Sequence, residues 1–225
     1  MARLLLIAAG GLARETIASI RATGDHHLVG LLDDDAALHG RNIAGVRVLG
    51  GIEMAATSGD HMLICAGSGA ARAAVSARLE AWGVAHDQFA THVHSTAVIG
   101  EGTVIGAGSI ILAGTVLTCD VRIGHQVVLM PQVTLTHDDD LADFVTLAAG
   151  ASVGGRVEIG RCSYLGMNAA VRQDLKIGED AVLGMGAVLL EDLPTGETWA
   201  GNPARMISTS ARPQEMAAPQ GGIGK

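Results

Sequence analysis

The stretch "LTHDDDLADF", residues 135–144, sets one histidine, His137, beside three consecutive aspartates, Asp138, Asp139 and Asp140. A neutral imidazole, with a reference pKa of ~6.5, can take a proton from an attacking amine or hydroxyl. A carboxylate on the other ring nitrogen fixes the tautomer and stabilises the imidazolium that forms. The same residues also suit a solvated outward turn, and residue types alone leave both readings open. Three further places can hold a ligand: Gly10-Gly11, Asp33-Asp34 and Gly67-Ser68. A glycine turn that opens a helix presents backbone N–H groups to an anion. An acid after a strand can meet a ribose hydroxyl, and Ser68 can cradle an anion or simply cap its helix. Ala8 and Ala13 stand where GxGxxG has its first and last glycines, which argues against a dinucleotide.

The elements that must position these groups are of two kinds. Over residues 1–90 the chain reads strand, glycine turn, helix ("ARLLLIAAGGLARETIASIRATG"), then strands "HHLVGLLDDD" and "VRVLG", then strand, turn and helix again ("HMLICAGSGAARAAVSARLEAWG"). Alternation of this kind predicts βαβ units and a small parallel, Rossmann-like sheet, with ligands beyond the carboxyl ends of its strands. The three glycine or acid pairs fall at those ends, which favours a mononucleotide-type ligand.

From Val93 the grammar changes. Every sixth residue through Leu189, seventeen positions without a slip, is Ile, Leu or Val. Hexad repetition over that length marks a parallel β-helix, expected to wind left-handed, with about five coils in a prism ~25 Å long. Glycine follows the aliphatic residue at 100, 106, 124, 154, 160, 166, 178 and 184, as expected of turns with unusual backbone angles. Four places after each aliphatic the residue is usually small or a valine, and Asp139 is the one acid there. An acid at an inward corner costs desolvation unless it is paired. The repeat is compromised beside His137, which makes that corner a candidate site.

Composition excludes other classes. The chain has 15 basic and 23 acidic residues, a net charge of −8 and no Lys/Arg run, against a nucleic-acid footprint. No apolar run approaches the ~20 residues of a membrane span, and "LLLIAA" runs at once into Gly10-Gly11 and Arg14-Glu15 as a strand would. Cys65, Cys119 and Cys162 form no CxxC pair, so the expected setting is cytoplasmic and reducing. The nine histidines show no ligand spacing, and no metal is expected. The tail, 208–225, lacks periodicity and is expected to be disordered.

A small α/β domain followed by a hexapeptide prism, with "TLTHDDDLADF", "LAAGASVGGRVEIGRCSYLGMNAAV" and "WAGNPARMI", resembles the sugar O- and N-acetyltransferases of bacterial surface glycan synthesis. These include the UDP-4-amino-sugar N-acetyltransferases and the sialic acid O-acetyltransferase relatives. The resemblance spans residue 3 to about 207 and implies two domains, 1–90 for the nucleotide-sugar and 91–207 for acetyl transfer. It implies a homotrimer with acetyl-CoA as co-substrate in the groove between prisms. It assigns His137 as general base with Asp138 as its carboxylate, and Gly155 as the oxyanion donor. Met167 and Gly184 would lie along the acetyl-CoA groove, with Arg156, Arg161 and Arg172 as candidates for its phosphates. Gly10, Gly11, Asp33, Asp34, Gly67 and Ser68 would hold the nucleotide-sugar. The sequence departs from the family at Ala8, where relatives carry glycine, and at Ser68, often Asn. It departs again at "HDDDLADF", which replaces "HxCxIGDF"; the added acids suggest a hold on a cationic amine. The expected reaction is direct N-acetylation of a nucleotide-linked 4-amino-4,6-dideoxy sugar. O-acetylation of sialic acid or another sugar hydroxyl, and a non-catalytic scaffold, are the alternatives.

Overall fold

A computed structural model describes residues 2–209, so the tail lies almost wholly outside the described residues; Ser208 itself ends a strand. The α/β part is a five-stranded sheet of β1 (Ala2–Ile7), β2 (His26–Leu32), β3 (Asn42–Ile43), β4 (Val46–Gly50) and β5 (His61–Ile64), in the order β3-β4-β2-β1-β5. All pairs but β3–β4 are parallel. Strand β1, flanked by β2 and β5, buries Leu4 to Ile7, a continuous apolar run as expected of a strand covered on both faces. Helix α1 (Gly11–Thr23) turns Leu12, Ala13, Thr16, Ile17, Ser19 and Ile20 inward at helical spacing and stops at Gly24 in the left-handed region. After a single turn, α2 (Ala55–Ser58), helix α3 (Gly69–Ala81) starts at Ser68, whose Oγ accepts the Ala71 N–H at 3.1 Å.

The prism is seventeen two-residue strands, from β6 (His92–Val93) to β22 (Val188–Leu189), closed by β23 (Thr198–Ala200) and β24 (Arg205–Ser208). From β6 to β19 each strand pairs in parallel with the one eighteen residues on, as in Leu117↔Leu135 and Leu135↔Val153, and only at the closing end does β21 meet β23 sixteen on. Three hexads therefore make one coil, and the strands sort into three faces of eight, six and five. The aliphatic stack from Ile111 to Leu189 is buried, together with Val121, Val127, Val133, Val145 and Val157. Each such side chain contributes roughly 1.5–3 kcal/mol on burial.

One expectation is corrected. The glycines just after the aliphatic residues are not at unusual angles; the left-handed position comes two residues later, at Gly102, Gly108, Asp120, Gln126, Gln132, Asp138 and their equivalents. The earlier glycine is required because coils approach closely there. A Cβ on Gly100 would collide with the Thr118 carbonyl, and one on Gly160 would meet the Glu179 amide at 2.5 Å.

The α/β part docks on the eight-stranded face. Ile110, Leu112 and Val128 join the apolar cluster of β1 and α1. Gly69 at the start of α3 sits so close to the Phe144 carbonyl that no Cβ fits. Next to it Arg72, 0% exposed, spends every N–H: Nε on Gln126 O, one terminal nitrogen on Ala66 O and Gly67 O, the other on Phe144 O, Val145 O and Thr146 Oγ1, at 2.8–3.1 Å. Burial brings its pKa down to about 10. No helix among the described residues is long and apolar enough to cross a membrane.

Candidate active site

His137 lies on the corner that follows β13 (Thr134–Leu135) and precedes β14 (Asp140–Leu141). Neighbouring coils stack Cys119 below it and Gly155 above: Asp138 N–H donates to Cys119 O at 3.3 Å, and Arg156 N–H to His137 O at 2.9 Å. Asp138 takes the left-handed turn position, φ 61°, which aspartate tolerates better than most residues. That turn brings its Oδ2 to 2.7 Å from His137 Nδ1. A carboxylate there requires the proton on Nδ1, which leaves Nε2 as the basic nitrogen. The ring is half exposed and lies over Gly155 so closely that an added Cβ would strike Nε2. Glycine is required at 155 to seat the imidazole. Gly155 N–H meets no hydrogen-bond acceptor among the described residues.

Asp139 is turned the other way. It is 0% exposed, and its two oxygens accept Thr136 N–H and Val157 N–H, each at 2.9 Å. The acid thus stitches the His137 turn to the next coil. The idea that its carboxylate holds a cationic amine is corrected: Asp139 borders a cavity of about 460 Å³ with Asp138, Asp140, Asp120, Glu158, Arg122 and Arg156, but both its oxygens are buried and taken by backbone N–H groups. Burial pushes the Asp139 pKa up to about 6 despite the two amides. Its folded pKa exceeds the unfolded ~3.9, so this group favours folding most below pH ~4, and that contribution is lost as pH rises through about 6. Carbon-detected NMR titration should find one aspartate carboxyl moving near pH 6 and missing in Asp139→Asn; titration of every aspartate near 4 would refute the burial argument.

Met167 and Gly184 sit on a different corner. The strand β19 (Ala170–Val171) leads from Met167 across one face towards the His137 corner, so the two sets border the same face without touching. Met167 is exposed, as is Met185 one coil on, and Gly184 packs against Ala200. Of the arginines, Arg156 is paired with Asp174 at 2.6 Å beside His137, and Arg172 is exposed near the same corner. Arg161 lies over the Phe144 ring at 4.8 Å on the third corner, away from both.

In the α/β part the three predicted strand ends come together, since β2, β1 and β5 are adjacent. Gly10, Gly11 and Gly67 have open space above their Cα atoms. The Asp33 carboxylate is already used: it accepts Ala9 N–H at 2.7 Å and Asp35 N–H at 2.8 Å and so shapes the glycine turn. Asp34 is held by Arg78 at 2.7 Å, which keeps its carboxyl below the usual range. Ser68 serves as the helix cap. Ala8 sits at φ 74°, where a side chain costs roughly 1–2 kcal/mol. Ala8→Gly should therefore raise unfolding free energy by about 0.5–1 kcal/mol in urea, the relief exceeding the added chain entropy; a destabilised variant would contradict it.

The predicted strand-end residues of the α/β part and His137 do not meet within one chain. The α/β part covers the eight-stranded face, and His137 stands on the opposite corner, between the other two. Sequence reasoning missed Arg72, although Gly69, Arg72, Ser76 and Leu79 fall on one helical stripe.

Fold and corner together define the class: a hexapeptide-repeat prism with an outward His–Asp pair and a small α/β part, built as acyltransferases are. No protein-family model matches the chain, and no curated protein matches it in sequence. Solved structures do. Perosamine N-acetyltransferase from Caulobacter crescentus, as a histidine variant in complex with CoA and GDP-perosamine, is 25% identical with a TM-score of 0.84, over 92% of this chain and 98% of that one. The acetyltransferase domain of PglB from Neisseria gonorrhoeae is 27% identical at 0.84, over 92% and 100%. WeeI from Acinetobacter baumannii is 28% identical at 0.81, over the same shares. The chain resembles bacterial sugar acetyltransferases of the hexapeptide-repeat type, as its motifs imply.

Proposed function

We propose that this protein transfers the acetyl group of acetyl-CoA directly to the amine of a nucleotide-linked 4-amino-4,6-dideoxy sugar. The observation that carries the reading is the His137–Asp138 pair at 2.7 Å, with Nε2 free above Gly155. Nε2 takes a proton as the amine attacks the thioester carbonyl, Asp138 steadies the imidazolium, and Gly155 N–H meets the developing oxyanion. Collapse expels CoA as a thiolate, which the imidazolium can reprotonate. The N-acetyl direction is supported by the neighbour that acts on perosamine.

The division of labour places the nucleotide-sugar at Gly10, Gly11, Asp33, Asp34, Gly67 and Ser68, in a domain ending near residue 90. Acetyl-CoA runs past Met167 and Gly184. Because the strand-end residues of the α/β part and His137 lie on opposite sides of one chain, the complete site is built with a second copy, in a homotrimer of left-handed prisms. The setting is cytoplasmic, where both substrates are made. The test is release of CoA thiol from acetyl-CoA with UDP-, GDP- and dTDP-linked 4-amino sugars and free sialic acid. Turnover of one amino sugar supports the reading; turnover of sialic acid alone would replace it with O-acetylation.

A further inference from the structure

Far from His137, where the α/β part meets the first coil, three metal-ligating side chains converge from distant parts of the sequence: Asp25, between α1 and β2, His26, which opens β2, and His92 in β6. One donor atom from each lies within 4.8 Å of the others. Asp25 Oδ2 is the common centre, 3.1 Å from His92 Nδ1 and 3.7 Å from His26 Nε2. Donors bound to one tetrahedral zinc at ~2.0–2.1 Å stand roughly 3.3 Å apart, so small side-chain shifts suffice.

The outer contacts are those of a prepared site. Thr23 Oγ1 donates to Asp25 Oδ1 at 2.6 Å, which leaves Oδ2 for the ion. Ser19 Oγ lies 2.7 Å from His92 Nε2 and can accept its proton once Nδ1 is a ligand; second partners of this kind orient ligating histidines. His92 is wholly buried, so its ring is fixed in place by its neighbours rather than by solvent. His26 has 13% of its side chain exposed, and its buried Nδ1 has no hydrogen-bond partner. His26 also lines a surface cleft of about 390 Å³. Ser19, His92 and Asp25 are strung together like a hydrolytic triad. Ser19 lies inside α1, however, where the helix takes the backbone amides, so no oxyanion donors stand beside it.

We propose that Asp25, His26 and His92 bind one divalent transition cation of zinc type, with water in the fourth position, clasping the α/β part to the prism. The site is structural and separate from acetyl transfer.

The full chain, freed of metal, would be titrated with zinc chloride by calorimetry and melted with and without it, and cobalt(II) would be followed by visible absorption. One ion per chain, a raised melting temperature and tetrahedral cobalt bands are expected. His26→Ala and Asp25→Asn, chosen because both residues lie at the surface end of the site, should each weaken binding by at least about tenfold. His137→Ala should leave it unchanged, since His137 stands far from the three ligands. No binding by the unaltered chain would overturn the proposal. So would binding that survives His26→Ala or is lost in His137→Ala.

Discussion

Replacing His137 by alanine is expected to lower turnover of the amino-sugar acceptor by about 10²–10⁴-fold while acetyl-CoA still binds. The expectation rests on position. The ring stands outside the packed prism, half exposed, and contributes little to the stack of aliphatic side chains inside. Its removal should therefore cost chemistry and not folding. Stopped-assay turnover and calorimetric acetyl-CoA affinity, measured on one preparation, separate the two. Asp138→Asn keeps an acceptor near Nδ1 but removes the charge that stabilises the imidazolium, so a smaller loss should follow. Should the alanine variant turn over as fast as the parent, His137 is a solvated turn residue and the base lies elsewhere.

Arg72→Met should destabilise the chain by about 3–5 kcal/mol, the cost of leaving several buried acceptors without donors. Six oxygens converge on one guanidinium, and four of them belong to the prism: Gln126 O, Phe144 O, Val145 O and Thr146 Oγ1. Among the described residues no carboxylate neutralises this cation; carbonyl dipoles hold it. Methionine fills part of the volume and supplies no hydrogen. Because the affected contacts join the α/β part to one face of the prism, the loss should fall on that junction. Differential scanning calorimetry should show an early transition ahead of the prism's own melting, with proteolysis opening near the linking segment, residues 83–91. A single unshifted transition would mean that the apolar contact of Ile110, Leu112 and Val128 suffices for docking.

Much of this architecture was legible because it is written in types that tolerate no substitute. The aliphatic positions from Val93 to Leu189 give the coil, and the acid at 139 marks the corner where the rule lapses. What Asp139 does was not legible. The register of the repeat already turned its carboxylate inward, but which groups would pair it does not appear in a local pattern; the structure shows two backbone N–H groups at 2.9 Å. The glycines after the aliphatic residues were read as conformational when they are steric, because contacts between coils eighteen residues apart do not appear in a local pattern. At the strand ends, Asp33 and Asp34 do follow β2. Their ties to Ala9 and Arg78 depend on a turn and a distant helix that spacing does not predict. Arg72 was hidden for the opposite reason: among alanines an arginine reads as a solvated charge.

The eighteen-residue register makes the prism a counting device. Substituting an outward residue leaves the count intact, whereas gaining or losing a single residue between His92 and His137 would turn every later side chain to a different direction. His137 would then no longer stand opposite the docked α/β part, and inward aliphatics would face water. Only insertions of a full coil, or loops that bulge out and return to the same strand position, keep the corners in phase. Length variation among chains built on this plan should therefore come in multiples of eighteen or gather at the corners, while the faces change by substitution alone.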